Sequence, residues 1–479
     1  MRAALALLVA AVVFCLPVSA ISCSSAVVAP SEATADSAAG GSYSSAGGAA
    51  TLPSGVDRPL AATAAIDVSR LVPVPDPLGA DNPRYAASGS ALPAVAQPLE
   101  DSQLGTTLAR VTARPGVRHE YSRFDPFNAD RSMVILLDDG FKVFKTEAPY
   151  DRVASLVRSL DLDEPRWDRA EPQLVTGISG FRIVTVNVVT GEETLVKDFS
   201  ADGGVGPLLE REPDLYRVTC KDEGEPSSEG RWWALAIQGS DDDYRLRYLL
   251  CWDHDTDRVV GLRKLAPAES SIDWVGMSAN GTWVIIGGDA ENGSPLTGLT
   301  IADRGLGQFH RVDWATGHAD VGVDVNGDEV IVMQNARTDY VDLIPLSLDT
   351  KPILESGGSY TGSGHIPLMR LNYDSESPFN LSSGVHVSCN APGWALVSTT
   401  IEPGLPENNW LDRSLILVRL DPDDPRCYYV SKTYNTSGDY WEETHATLSN
   451  DGSTVVWAAN FGIDVGSDHC YLVRLDLPR

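Results

Sequence analysis

The feature that most constrains this chain is a strand–turn–strand unit that keeps returning. It is plainest near the end, where Glu442-Glu443-Thr444-His445-Ala446-Thr447-Leu448 leads into a turn at Asn450-Asp451-Gly452 and a second strand through Thr454-Val455-Val456-Trp457. The turn residues tolerate positive φ, and the flanking β-branched and aromatic residues suit a pleated, half-buried surface. A third strand follows from Cys470 to Leu475. The unit recurs upstream with drifting sequence: from Tyr121 to Val157, from Glu164 to Phe199, in three units starting near Leu215, Ile272 and His318, and from Val385 to Thr433. Each offers about four short strands at a spacing of about 40 residues, the period of one propeller blade. The stretch 104–479 is too long for one ordinary core, and a repeat architecture removes that difficulty. The chain therefore reads as all-β, a seven-bladed β-propeller over residues 104–479. The seventh unit supplies only three strands, so Thr106 to Val111 is expected to close the ring as its fourth, covering an otherwise unpaired edge.

Upstream, residues 1–22 carry Arg2, an apolar run and small residues at the exit, which read as a signal peptide and predict an exported protein. Two exits stay open. Val18-Ser19-Ala20 suits ordinary signal peptidase, and Ala20-Ile21-Ser22-Cys23 resembles a bacterial lipobox, which would place a lipid anchor at Cys23. The protein is then secreted or held at the cell envelope, with the membrane touched only through that anchor. Residues 23–103 are rich in Ala, Ser, Gly and Pro without sustained apolar periodicity, and read as a disordered linker.

The formal charge of −29 opposes nonspecific binding to nucleic acid or anionic membranes. It also weighs against a polyanionic ligand unless a metal or local arginines overturn the field. No Gly-x-Ser-x-Gly elbow, P-loop, His-Glu-x-x-His or dinucleotide fingerprint is present, and no organic cofactor is expected. Five cysteines, Cys220, Cys251, Cys389, Cys427 and Cys470, lie beyond Cys23, and spacing does not fix their pairing.

Of the eight histidines, His119, His318, His386 and His445 fall at or just before the innermost strand of units one, five, six and seven. Those units are contiguous around a closed ring, so the four converge at one side of the channel mouth. Clustered neutral imidazoles suit a divalent metal, with manganese, zinc or calcium as candidates. The competing reading is that each imidazole only bonds backbone at a blade junction. His386 could be a proton-abstracting base or a further ligand. Glu443 shares the strand face of His445 and Glu442 reaches it from the preceding loop, so either is a candidate ligand or part of a solvated edge. Arg337 and Tyr340 follow the second strand of unit five. There Arg337 could pair with a substrate carboxylate or bridge Asp339. His254, His310, His365 and His469 fall at turns or strand ends and read as solvated.

Glu164-Pro165-Arg166-Trp167 followed by Val188-Val189-Thr190-Gly191-Glu192, and His445-Ala446-Thr447-Leu448-Ser449-Asn450-Asp451-Gly452, resemble the blade signature of TolB-type, WD40-like propellers. That scaffold hosts unrelated functions. The histidine cluster resembles that of oligogalacturonate lyases, which implies manganese, an acidic sugar and β-elimination; His386, and from the blade-five reading Arg337 and Tyr340, are the candidate catalytic residues. In those enzymes the last blade reads Gln-x-x-His-x-His; here Glu442 replaces the glutamine and Thr447 the second histidine. Two functions follow. One is a carbohydrate-binding propeller with lyase chemistry on an acidic oligosaccharide. The other is a noncatalytic, monomeric envelope scaffold that binds a protein.

Overall fold

The computed structural model describes residues 63–79, 81–87, 92–240, 244–288, 294, 296–314, 317–335, 337–353, 359–371, 384–401, 409–436, 443–463 and 468–475. The signal-peptide and lipid-anchor readings lie outside them. Seven antiparallel sheets form the blades of a propeller. Their inner strands are Asp163–Trp167 in blade two, Leu215–Thr219 in three, Trp274–Met277 in four, Ala319–Val323 in five, Val385–Ser388 in six and Thr447–Leu448 in seven. Blade one comprises Met133–Leu137, Phe141–Glu147 and Arg152–Ser159, and its inner position is filled by a bridge between Arg118 and Leu137.

The core lies between blades, and period-two alternation builds it. In Trp394–Thr399 of blade six, Ala395 and Val397 pack with Val332 and Leu343 of blade five, while Trp394 and Leu396 pack with Val455 and Trp457 of blade seven. Every blade therefore needs a neighbour on each side, and the last interface forms only if the ring closes.

Closure comes from strand Thr107–Arg110, which pairs with His469–Arg474 in the register Leu108–Val473, Ala109–Leu472 and Arg110–Tyr471. This is the strand expected from the sequence. The linker boundary is corrected, because from residue 63 the described chain is laid over blades six and seven. Val72–Pro73 pairs with Arg426–Lys432 as a fifth strand of blade six, and Pro98–Glu100 pairs with Thr107–Arg110 as a fifth strand of blade seven. Between these contacts, Ala64 N–H donates to the Pro392 carbonyl at 2.9 Å and Tyr85 meets Tyr429 edge to face at 4.9 Å. The strap lies close because Gly393 and Gly452, both at positive φ, carry no Cβ, and one there would meet Thr63 or Ile66 at 2.5 and 2.8 Å. Composition hid this, because the strap attaches by main-chain pairing and isolated apolar residues.

A chain starting at residue 104 is expected to melt on the order of 5 °C below one starting at residue 63, having lost two edge strands. One starting at residue 113 should show no cooperative transition by calorimetry. Equal melting of all three would contradict the closure.

Candidate functional site

Inner-strand geometry decides which side chains meet at the axis. His386 is fully buried on the inner strand of blade six. His318 precedes the inner strand of blade five, and its Nδ1–H donates to the Val385 carbonyl at 2.6 Å, which leaves the lone pair of a neutral ring on Nε2. The two rings stack with centroids 4.2 Å apart and planes 19° apart. His445 stands perpendicular to His386 at 4.3 Å. Its backbone is left-handed, with φ 41°, a costly conformation for a side-chain-bearing residue, and it turns the chain into Thr447–Leu448. Glu443, half-buried, places Oε2 3.5 Å from His386 Nε2. One donor atom from each of His386, Glu443 and His445 lies within 4.8 Å of the others.

His119 joins this neighbourhood in a different role. Its Nε2–H donates to the His445 carbonyl, and its Nδ1 faces the Cys470 thiol at 4.0 Å. It braces the first and last blades and is corrected from metal ligand to structural support. Glu442 lies outside the described residues. Tyr121 packs on both His386 and His445, at 5.4 and 5.0 Å.

Sequence reasoning missed the arginines. Arg118 is buried, its backbone is fixed by paired hydrogen bonds with Leu137, and its guanidinium donates to His445 Nδ1. Burial first, then neighbouring charge including Arg118, drives His386 and His445 well below the usual imidazole range and His119 down to about 3, so these rings are held neutral. Residues 117–128 fill the channel itself. Glu120 accepts from Arg166 of blade two at 2.8 Å, and Arg123 pairs with Glu223 of blade three at 2.8 Å while stacking on Trp274 of blade four at 4.2 Å. The Phe124 carbonyl accepts from Thr447 of blade seven at 3.0 Å. Beyond Arg123 a cavity of about 30 Å³ remains, lined by Glu223, Trp274, Asp320 and Asn390, on the scale of one water.

Fold and site together define a seven-bladed β-propeller with a buried histidine–glutamate cluster at the axis. No protein-family model matches the sequence, and no curated protein resembles it significantly. Solved structures do match in fold. An oligogalacturonate lyase in complex with manganese is 12% identical, with a TM-score of 0.50 over 82% of this chain and 99% of that one. The oligogalacturonate lyase of Vibrio parahaemolyticus is 10% identical, with a TM-score of 0.50 over 79% and 96%. The WD40 domain of Neurospora crassa Pan2 is 11% identical, at 0.40 over 75% and 91%. At these identities the likeness establishes the architecture alone.

The remaining expectations divide. Arg337 and Tyr340 sit at the hairpin between the second and third strands of blade five, where Tyr340 pairs with Arg370 of the outermost strand and packs on Tyr360. The structure puts them in the outer half of the blade instead of beside the histidines. His365 and His469 are buried: His365 Nε2 bonds the Val312 carbonyl at 3.0 Å, and His469 Nδ1 lies 3.3 Å from the Thr112 hydroxyl. The five described cysteines beyond Cys23 are free, buried thiols.

Near Tyr340, Asp342 is fully buried and accepts from Asn335, Thr338 and Tyr360 at 3.0, 2.9 and 2.7 Å. Burial pushes its carboxyl up to about 7, against those hydrogen bonds and together with the nearby Asp313. A raised folded-state pKa stabilises at low pH, and the contribution is lost as pH rises from about 4 to 7. Asp342→Asn is therefore expected to remove a slope on the order of 1 kcal/mol per pH unit over that window, measured by urea unfolding. Parallel profiles for the two proteins would contradict the assignment.

Proposed function

We propose that this is an exported propeller whose axial cluster binds a divalent metal and an acidic oligosaccharide, acting as a polysaccharide lyase. The observation that carries the reading is the proximity of His386, Glu443 and His445, whose donor atoms lie within 4.8 Å of one another. Two neutral imidazoles and a carboxylate fit manganese or zinc better than calcium, which prefers oxygen ligands throughout. The fold likeness to oligogalacturonate lyases, one of them in complex with manganese, supports the same reading.

When bound, the metal would polarise the sugar carboxylate and acidify the adjacent C–H. His386 then serves as a ligand, which leaves His318 as the base. Its Nδ1–H is anchored to Val385, and Nε2 carries the lone pair that takes the proton. As the C–H electrons form the carbon–carbon double bond, the β C–O bond breaks and the leaving oxygen gains a proton from solvent. Arg118 places positive charge beside the cluster, against the overall −29, whereas Arg123 is already paired with Glu223.

One observation favours the second reading, a noncatalytic envelope scaffold. Residues 117–128 occupy the channel and His386 is fully buried. The test is metal content by mass spectrometry combined with release of unsaturated sugar from uronic-acid polysaccharides. Wild type is expected to carry near-stoichiometric manganese or zinc, and the His386→Ala/His445→Ala double variant none. His318→Ala should keep the metal and lose at least about 100-fold in product formation. A metal-free, inactive wild type would move the account to the scaffold.

A further inference from the structure

We infer that Arg118 is an internal cation competing with the metal for His445, so that any divalent ion must displace its guanidinium to bind. The inference rests on the metal reading above and specifies how that site is regulated.

A neutral imidazole has one nitrogen lone pair and one N–H. Arginine has only donors and stays protonated, so the contact between the Arg118 guanidinium and His445 Nδ1 uses the lone pair. A metal on Nδ1 would need that same lone pair. A metal on Nε2 would force the ring proton onto Nδ1, which would then point an N–H at an arginine that can only donate. Whichever nitrogen the metal takes, the existing contact cannot persist. Charge adds to the exclusion, because a guanidinium held against a ligand ring in a buried site repels a divalent cation with little solvent screening.

Arg118 is built into this position. Its backbone exchanges hydrogen bonds with Leu137 at 3.2 and 2.7 Å, its Nε donates to the His119 carbonyl at 3.4 Å, and the residue is buried. His119 in turn donates to the carbonyl of His445, so blade one holds the backbone and the ring of that one residue together. Release of Arg118 would therefore accompany metal uptake, and metal affinity would report the strength of this contact.

The test titrates manganese and zinc calorimetrically into the metal-stripped protein and into Arg118→Met, which keeps the aliphatic stem. Arg118→Gln serves as a second variant should the first fail to fold. The variant is expected to bind at least ten-fold more tightly than wild type, and adding His445→Ala should abolish the gain. In protein labelled with ¹⁵N-histidine, the metal-free His445 Nδ1 should resonate as a lone-pair nitrogen. Equal or weaker binding by the variant, or a protonated Nδ1 in metal-free wild type, overturns the competition while leaving the metal reading intact. Failure of wild type and both variants to bind either metal overturns the metal reading and this inference together.

Discussion

Pairing of Thr107–Arg110 with His469–Arg474 is the interaction on which the rest of the structure depends. Each blade has two apolar faces, and each face is buried only by the next blade. Without the closing ladder, blades one and seven would each expose a face, and the third strand of blade seven would present unpaired backbone groups. With it, Arg118 meets His445 across 327 residues of sequence. The strap over blades six and seven extends the same device, adding a fifth strand to each of the two sheets nearest the seam.

The site inherits its character from that closure. Imidazoles from blades five, six and seven reach the axis because inner strands must, and burial there keeps them neutral. Neutral rings are competent ligands, but the same burial makes any nearby charge count heavily. Arg118 and Glu443 are the two charges the cluster is built around, and the lone pair of His445 is what the guanidinium and a metal would contest. Arg123 is held between Glu223 and Trp274.

Much of the fold was legible because a repeat announces itself. Turn chemistry and strand alternation fixed the seven units, and the missing fourth strand of the last one pointed to Thr106–Val111. The meeting of His318, His386 and His445 was legible for the same reason: equivalent positions in adjacent blades are neighbours. What escaped depends on contacts with no local pattern. Arg118 looks like any basic residue before a histidine, and its partner lies at the opposite end of the chain. Arg337 and Tyr340 share the blade of His318 but sit too far from the axis, a radial difference that strand order alone sets. The strap from residue 63 carries its apolar residues without a strand period, so it does not register as structure, yet it pairs through its backbone.

The central claim is that the axis holds a metal between His386, Glu443 and His445 at the expense of the Arg118 contact. Anomalous X-ray diffraction from a crystal soaked in manganese tests it most directly. The account predicts a single strong peak within coordination distance of those three side chains, with the Arg118 guanidinium moved off His445. A crystal without a peak there, in which Arg118 still caps His445 Nδ1, would contradict it.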